Sequence, residues 1–372
     1  MATESRVGTI LAGYRIERLI GRGGMGSVYL AEDQAMGRRV ALKILSSELA
    51  SDQGFRERFI RESRLAASIE DPNIVPIYEA GESEGTLFIA MRYVQGTDLR
   101  ALLEREGALG PERTVSILAQ IASALDAAHD QGLVHRDVKP ANILVLPASG
   151  PSRADKVYLS DFGLTKRTTS DSGLTGTGQF VGTLDYAAPE QFEGNPLSSQ
   201  TDIYSLGCVL YECLTGQPPY PRESDAARMY AHLKDPPPKV TAARPDLPPG
   251  VDVVVATAMA KKPQDRFAGA GDLVESARGA LSGSKRIGPL TGSGLHRRRA
   301  VIGGGLVGLI GVVIAVAALV SKDGSSPAPG ASTPRPSASP RTFNALLRVD
   351  PDGGKVTATI PEPLHAPGAR VF

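Results

Sequence analysis

Twenty consecutive residues, Val301 to Val320, carry no charge. At about 1.5 Å of rise per residue, a helix of that length spans roughly the 30 Å hydrocarbon core of a bilayer, so the sequence predicts one transmembrane helix over 300–320. A chain built around such a stretch must fold as separate regions on its two sides. Arg297, Arg298 and Arg299 stand directly before it, whereas Lys322 with Asp323 follows, and the arginine-rich flank is the one that stays cytoplasmic. No apolar run of useful length opens the chain between Met1 and Gly13, so no cleavable signal is read there. The expectation is a single-pass protein of the cell (plasma) membrane, N-terminal region inside and C-terminus outside. Gly304 and Gly308 form a small-xxx-small pair through which two such helices can approach, which leaves a homodimer open.

The flanks of that helix read as connectors. Residues 282–299 are rich in Gly, Ser and Lys/Arg without apolar periodicity, a basic juxtamembrane linker attracted to anionic membrane lipid. Residues 321–341 hold five prolines amid serine and glycine, the composition of an extended stalk. In 342–372, Ala345–Val349 and Lys355–Ile360 flank Asp350-Pro351-Asp352-Gly353-Gly354, a strand-turn-strand pattern. Forty-one basic residues balance forty acidic ones, so overall charge gives no reason to expect a nucleic-acid partner. Cys208 and Cys213 lie in an apolar helical stretch, away from any metal or disulfide spacing, and read as reduced core thiols.

The chemistry concentrates in His135-Arg136-Asp137-Val138-Lys139-Pro140-Ala141-Asn142. Asp137 can take a proton from an attacking hydroxyl, Lys139 can neutralise charge on a transferring phosphate, and Asn142 offers a carbonyl oxygen to magnesium. Nineteen residues after Asn142 comes Asp161-Phe162-Gly163, with a second carboxylate for the metal. Upstream, a strand through Arg15 to Ile20 turns at Gly21-Arg22-Gly23-Gly24-Met25-Gly26-Ser27-Val28 and resumes over Tyr29–Glu32. Glycines there let backbone amides close over phosphates. A dinucleotide fold would need a helix after the glycines; the next element is instead the strand Val40-Ala41-Leu42-Lys43. Phe55–Ile69 reads as a helix bearing Glu62, Leu87–Met91 as a buried strand, and Pro111 as the opening of a long core helix. The Pro-, Ser- and Gly-rich run 147–157 reads as an exposed hairpin connection.

These motifs, in this order, resemble the protein kinase family from Tyr14 to about Leu281, and Asp137-Val138-Lys139 resembles its serine/threonine branch. The resemblance implies an α+β, bilobal protein kinase fold over 14–281, with a β-rich N-lobe and a helical C-lobe. It further implies ATP with magnesium, or manganese in its place, and protein substrates phosphorylated on Ser/Thr in signal transduction. Residue by residue, Asp137 is implied as base, with Lys139, Lys43 and Glu62 completing the catalytic set and Glu62 facing Lys43. Asn142 and Asp161 are implied as metal ligands. The nucleotide is implied to be held by Ile20, Gly21, Arg22, Gly23, Gly24, Met25, Gly26, Ser27, Val28, Ala41 and Lys43, with Met91 as gatekeeper and Tyr93 and Val94 in the hinge. The polar stretch Leu164–Phe180 resembles an activation loop, and Thr175 and Thr177 at its centre are the expected autophosphorylation sites, with Thr183 structural. Ala188-Pro189-Glu190 resembles the loop's terminal anchor, with Arg266 as the buried partner of Glu190, and Asp202–Gly207 resembles the start of the following helix. The whole plan resembles bacterial transmembrane serine/threonine kinases, and the C-terminal pattern resembles part of one repeat of an extracellular β-propeller.

Overall fold

A computed structural model describes residues 6–23, 26–148, 154–162 and 184–283. Gly24, Met25, the loop carrying Thr175, Thr177 and Thr183, and everything assigned above to 284–372 lie outside the described residues. Among the described residues, no helix is long and apolar enough to cross a membrane.

The N-terminal part is a six-stranded antiparallel sheet in the order β1-β2-β3-β4-β6-β5. Its strands are β1 (Ile10–Leu11), β2 (Tyr14–Gly23), β3 (Gly26–Asp33), β4 (Arg38–Leu45), β5 (Ile77–Ser83) and β6 (Thr86–Arg92). Side chains alternate across a strand, and here the two faces bury different sets. Tyr14, Ile16, Tyr29, Val40, Leu42 and Phe88 form a small core on one face. Ala41, Ile89 and Met91 belong instead to the large core that continues into the helical part. Lys43 shares the face of Ala41, and the pairing Lys43↔Ile89 sets its height in the sheet. The β2–β3 hairpin closes at Gly23↔Gly26. Gly26 has φ 146° and no room for a side chain, since a Cβ there would meet the Ile44 carbonyl oxygen at 2.1 Å.

Two helices separate β4 from β5: α1 (Ser47–Ala50) and α2 (Gln53–Ala67). The second begins where Asp52 accepts the Phe55 N–H at 3.1 Å, and Phe55 and Phe59 turn its apolar stripe inward. A three-stranded sheet, β7 (Thr97–Asp98), β8 (Ile143–Leu146) and β9 (Lys156–Leu159), follows, with α3 (Leu99–Glu106) and α4 (Pro111–Asp130) between its first two strands. The run 147–157 joins β8 to β9, partly outside the described residues.

The helical part is α5 (Pro189–Glu193), α6 (Ser199–Thr215), α7 (Asp225–Lys234), α8 (Val240–Ala243), α9 (Gly250–Ala258) and α10 (Ala270–Leu281). Helix α6 is buried along almost its whole length, so it is the axis around which α4, α9 and α10 pack. Cys208 and Cys213 are free thiols buried within it, and burial pushes both thiol pKa values up.

Candidate active site

Burying α6 completely strands its polar residues, and Asp202 shows what they are for. Its carboxylate has no solvent exposure and collects three donors. Oδ2 accepts the His135 N–H at 2.7 Å and lies 2.7 Å from His129 Nε2, while Oδ1 accepts the Arg136 N–H at 2.7 Å. A buried carboxylate is tolerated only with such partners, so the turn before Asp137 hangs from the centre of the helical core. Arg136 sits at φ 65°, in the left-handed region that costs a non-glycine residue about 1–2 kcal/mol. The ring of His135 then ties the next loop. Its Nδ1 accepts the Asp137 N–H at 3.2 Å, so the ring proton is on Nε2, which donates to the Ser160 carbonyl at 3.0 Å. Burial lowers the pKa of His135 and favours this neutral form.

On that frame the charged groups converge. Lys139 Nζ is 2.8 Å from Asp137 Oδ2. Asn142 Nδ2 donates to the Asp137 carbonyl at 2.8 Å and to its Oδ2 at 3.0 Å. Ser160 donates to the Asn142 carbonyl through both its N–H, at 2.9 Å, and its Oγ, at 3.0 Å. Asp161 follows at φ 56°, and its Oδ1 accepts from Lys43 Nζ at 2.9 Å. Phe162 packs its ring 4.7 Å from that of His135. Lys43, Val75, Ile77, Ile89, Met91, Ser160, Asp161 and Phe162 line one small cavity behind this cluster. Of the nucleotide residues expected from sequence, Val28 and Ala41 lie on the core side of the sheet, and Tyr93 and Val94, just after β6, pack partly buried against the same core. Ile20 is exposed, and Arg18 Nη2 reaches the Tyr93 hydroxyl at 3.4 Å.

One expected contact is replaced. Glu62 is not paired with Lys43; its Oε1 lies 3.6 Å from Arg136 Nη1, while Lys43 is neutralised by Asp161. Each cation takes the carboxylate that the present placement of α2 and the Asp161 turn brings nearest, and helix periodicity does not determine that placement.

A family model described as the protein kinase domain matches residues 14–275. The chain belongs to the protein kinase family. It is 50% identical over 281 residues to serine/threonine-protein kinase PknH of Mycobacterium tuberculosis, covering 76% of this chain and 44% of that one. It is also 50% identical over 279 residues to PknE of the same organism, covering 75% of this chain and 48% of the relative. The chain thus spans less than half the length of these curated relatives. Among solved structures, the Mycobacterium tuberculosis PknI kinase domain is similar with a TM-score of 0.59 at 33% identity, over 73% of this chain and 98% of that one.

In this kinase the expected partnership of Glu190 with Arg266 is present: Nη1 and Nη2 of Arg266 meet the two carboxylate oxygens at 2.7 and 2.8 Å, fully buried. The two-pronged geometry suits the planar guanidinium. Several residues of the site are not marked by the sequence. Asp202 reads there only as the opening of a helix, although an acid inside an otherwise apolar helix is itself a signal. His129, Ser160 and Gln191 carry no such mark, because their partners are backbone groups or residues remote in sequence.

Proposed function

We propose that this kinase is an ATP-dependent protein serine/threonine kinase acting in signal transduction, with Asp137 as the base toward a substrate hydroxyl. The observation that carries the reading is the cluster in which Asp137 is held by Asn142 and Lys139 while Lys43 reaches Asp161 across the cleft. A carboxylate beside an ammonium and an amide donor is positioned to accept a hydroxyl proton, and Lys139 stands where charge on the transferring phosphate needs an opposing cation. Asn142 and Asp161 supply the hard oxygen donors that magnesium or manganese takes. With Asn142 Nδ2 committed to Asp137, Oδ1 is the atom that remains for the metal. When bound, that ion neutralises the phosphate oxygens. The chain's own part is positioning: Val28, Ala41 and Met91 offer an apolar slot for the base of the nucleotide, and the Gly21–Val28 hairpin covers its phosphates.

We further infer that the chain is anchored in a membrane. The uncharged run Val301–Val320 with three arginines before it supports a single-pass anchor with the kinase domain inside, and pairing through Gly304 and Gly308 would bring two kinase domains together. Thr175 and Thr177 are proposed as autophosphorylation sites, read out by Arg136. The decisive experiment follows transfer of labelled γ-phosphate by the purified full-length chain with magnesium. Label is expected on Ser/Thr of the chain and of an added acceptor protein, falling at least about 100-fold in Lys43→Met and Asp137→Asn. Undiminished label in Asp137→Asn would remove Asp137 from its role as base.

A further inference from the structure

Gln191 stands on α5, one residue beyond Glu190, and its carboxamide bridges two stretches of backbone. Oε1 accepts the N–H of Ala188 at 3.0 Å, and Nε2 donates to the carbonyl of Arg136 at 3.0 Å. A backbone N–H only donates and a carbonyl only accepts, so these two partners fix which way the amide faces. The Arg136 carbonyl lies in the same peptide plane as the Asp137 N–H, which donates to His135 Nδ1. That plane is therefore held at both edges, from α5 on one side and from the imidazole on the other. It is also the plane from which the Asp137 side chain departs. Arg136 adopts its left-handed φ with its N–H on Asp202 and its C=O on Gln191, so losing either partner loosens the turn that aims Asp137.

We propose that Gln191 is a positioning residue for Asp137, which makes α5 and the catalytic loop a single rigid piece. Helix α5 is itself pinned through Glu190 and Arg266, and the segment that resembles the activation loop, Leu164–Phe180, lies upstream of it in the chain. A shift of that anchor is thus passed to the base through one side chain. The inference rests on the reading of Asp137 as the base.

The test uses full-length chain in detergent, with phosphotransfer to myelin basic protein and amide hydrogen exchange of residues 135–138 measured on the same preparations. Gln191→Leu removes both hydrogen bonds and is expected to lower kcat about tenfold, the worth of one such bond, with KM for ATP changed less than about twofold. Gln191→Glu keeps the acceptor for Ala188 but presents a carboxylate to the Arg136 carbonyl. An ordinary glutamic acid titrates at about 4.3 and protonation restores a donor, so its activity relative to wild type is expected to rise as pH falls from about 6.5 toward about 5, while the Gln191→Leu ratio stays flat. Exchange at 135–138 is expected to quicken in Gln191→Leu with α6 unchanged. A kcat for Gln191→Leu within about twofold of wild type, or a flat ratio for Gln191→Glu, overturns the proposal. Were the wild type itself inactive, the kinase reading would fall and exchange would decide alone: unchanged protection at 135–138 refutes the positioning role, and faster exchange sustains it.

Discussion

The two walls of the cleft are held by different kinds of contact. On the helical side, the loop before Asp137 hangs from Asp202 and helix α5 from Glu190–Arg266, both sets of groups without meaningful exposure. On the sheet side, Lys43 meets Asp161 with side chains 13% and 31% exposed, and Glu62 meets Arg136 across 3.6 Å with 15% and 19% exposed. Removing one member of a fully buried pair strands a charge in low dielectric, whereas in a partly exposed pair water screens the charge that is left. The wall that bears Asp137 is therefore set by folding. The wall that bears Lys43 is held more loosely, and there Lys43 pairs with Asp161 and Glu62 with Arg136 in place of the expected Lys43–Glu62 pair.

The largest effect should come from Arg266→Met. Stranding Glu190 is expected to cost about 3–5 kcal/mol in denaturant unfolding of the full-length chain, and a loss below about 1 kcal/mol would erase the contrast between the walls. A smaller effect concerns His232, which packs between Tyr204 and Tyr220 with Nδ1 2.9 Å from the Tyr204 hydroxyl. Burial first, then Lys261, lower its pKa from 6.5 to about 3. Because the folded value is depressed, the unfolded chain gains the proton first; stability is full above pH 6.5 and drains away below it, toward pH 3. Between about pH 6.5 and about pH 5.5, His232→Gln should spare about 1 kcal/mol of the wild-type loss. A wild-type and a variant curve that run parallel there would place no acid sensitivity in this lobe. Smallest of all, Glu62→Gln should change the unfolding free energy by less than ~1 kcal/mol. A cost matching Arg266→Met would show that the sheet-side wall is as firmly built as the other.

What was legible in the sequence follows the same division. Strands alternating around Lys43 and the long helix opened by Pro111 could be read because burial forces residue type to match position, whereas the Glu190–Arg266 pair is implied only by the resemblance to the kinase family. The partner of Glu62 could not, since periodicity places a side chain on a face of α2 but not that face against one cation rather than another. Asp202 left a trace, an acid in an apolar helix, whose meaning appears only when His129, His135 and Arg136 arrive from elsewhere in the chain. Gln191 and Ser160 act on carbonyl groups, and every residue has one, so composition and spacing are silent about them.

His135 sits two residues before Asp137, and both of its ring nitrogens are already engaged. One takes the Asp137 amide proton, and the other sends its own proton to Ser160. It thus lacks a lone pair for proton exchange and works as a pin through two loops. Turning the ring would break both contacts at once, so the Asp137 and Asp161 turns cannot fray independently. Local opening at this site is therefore expected to be cooperative, with the Asp137 loop and the Asp161 loop ordered together or lost together.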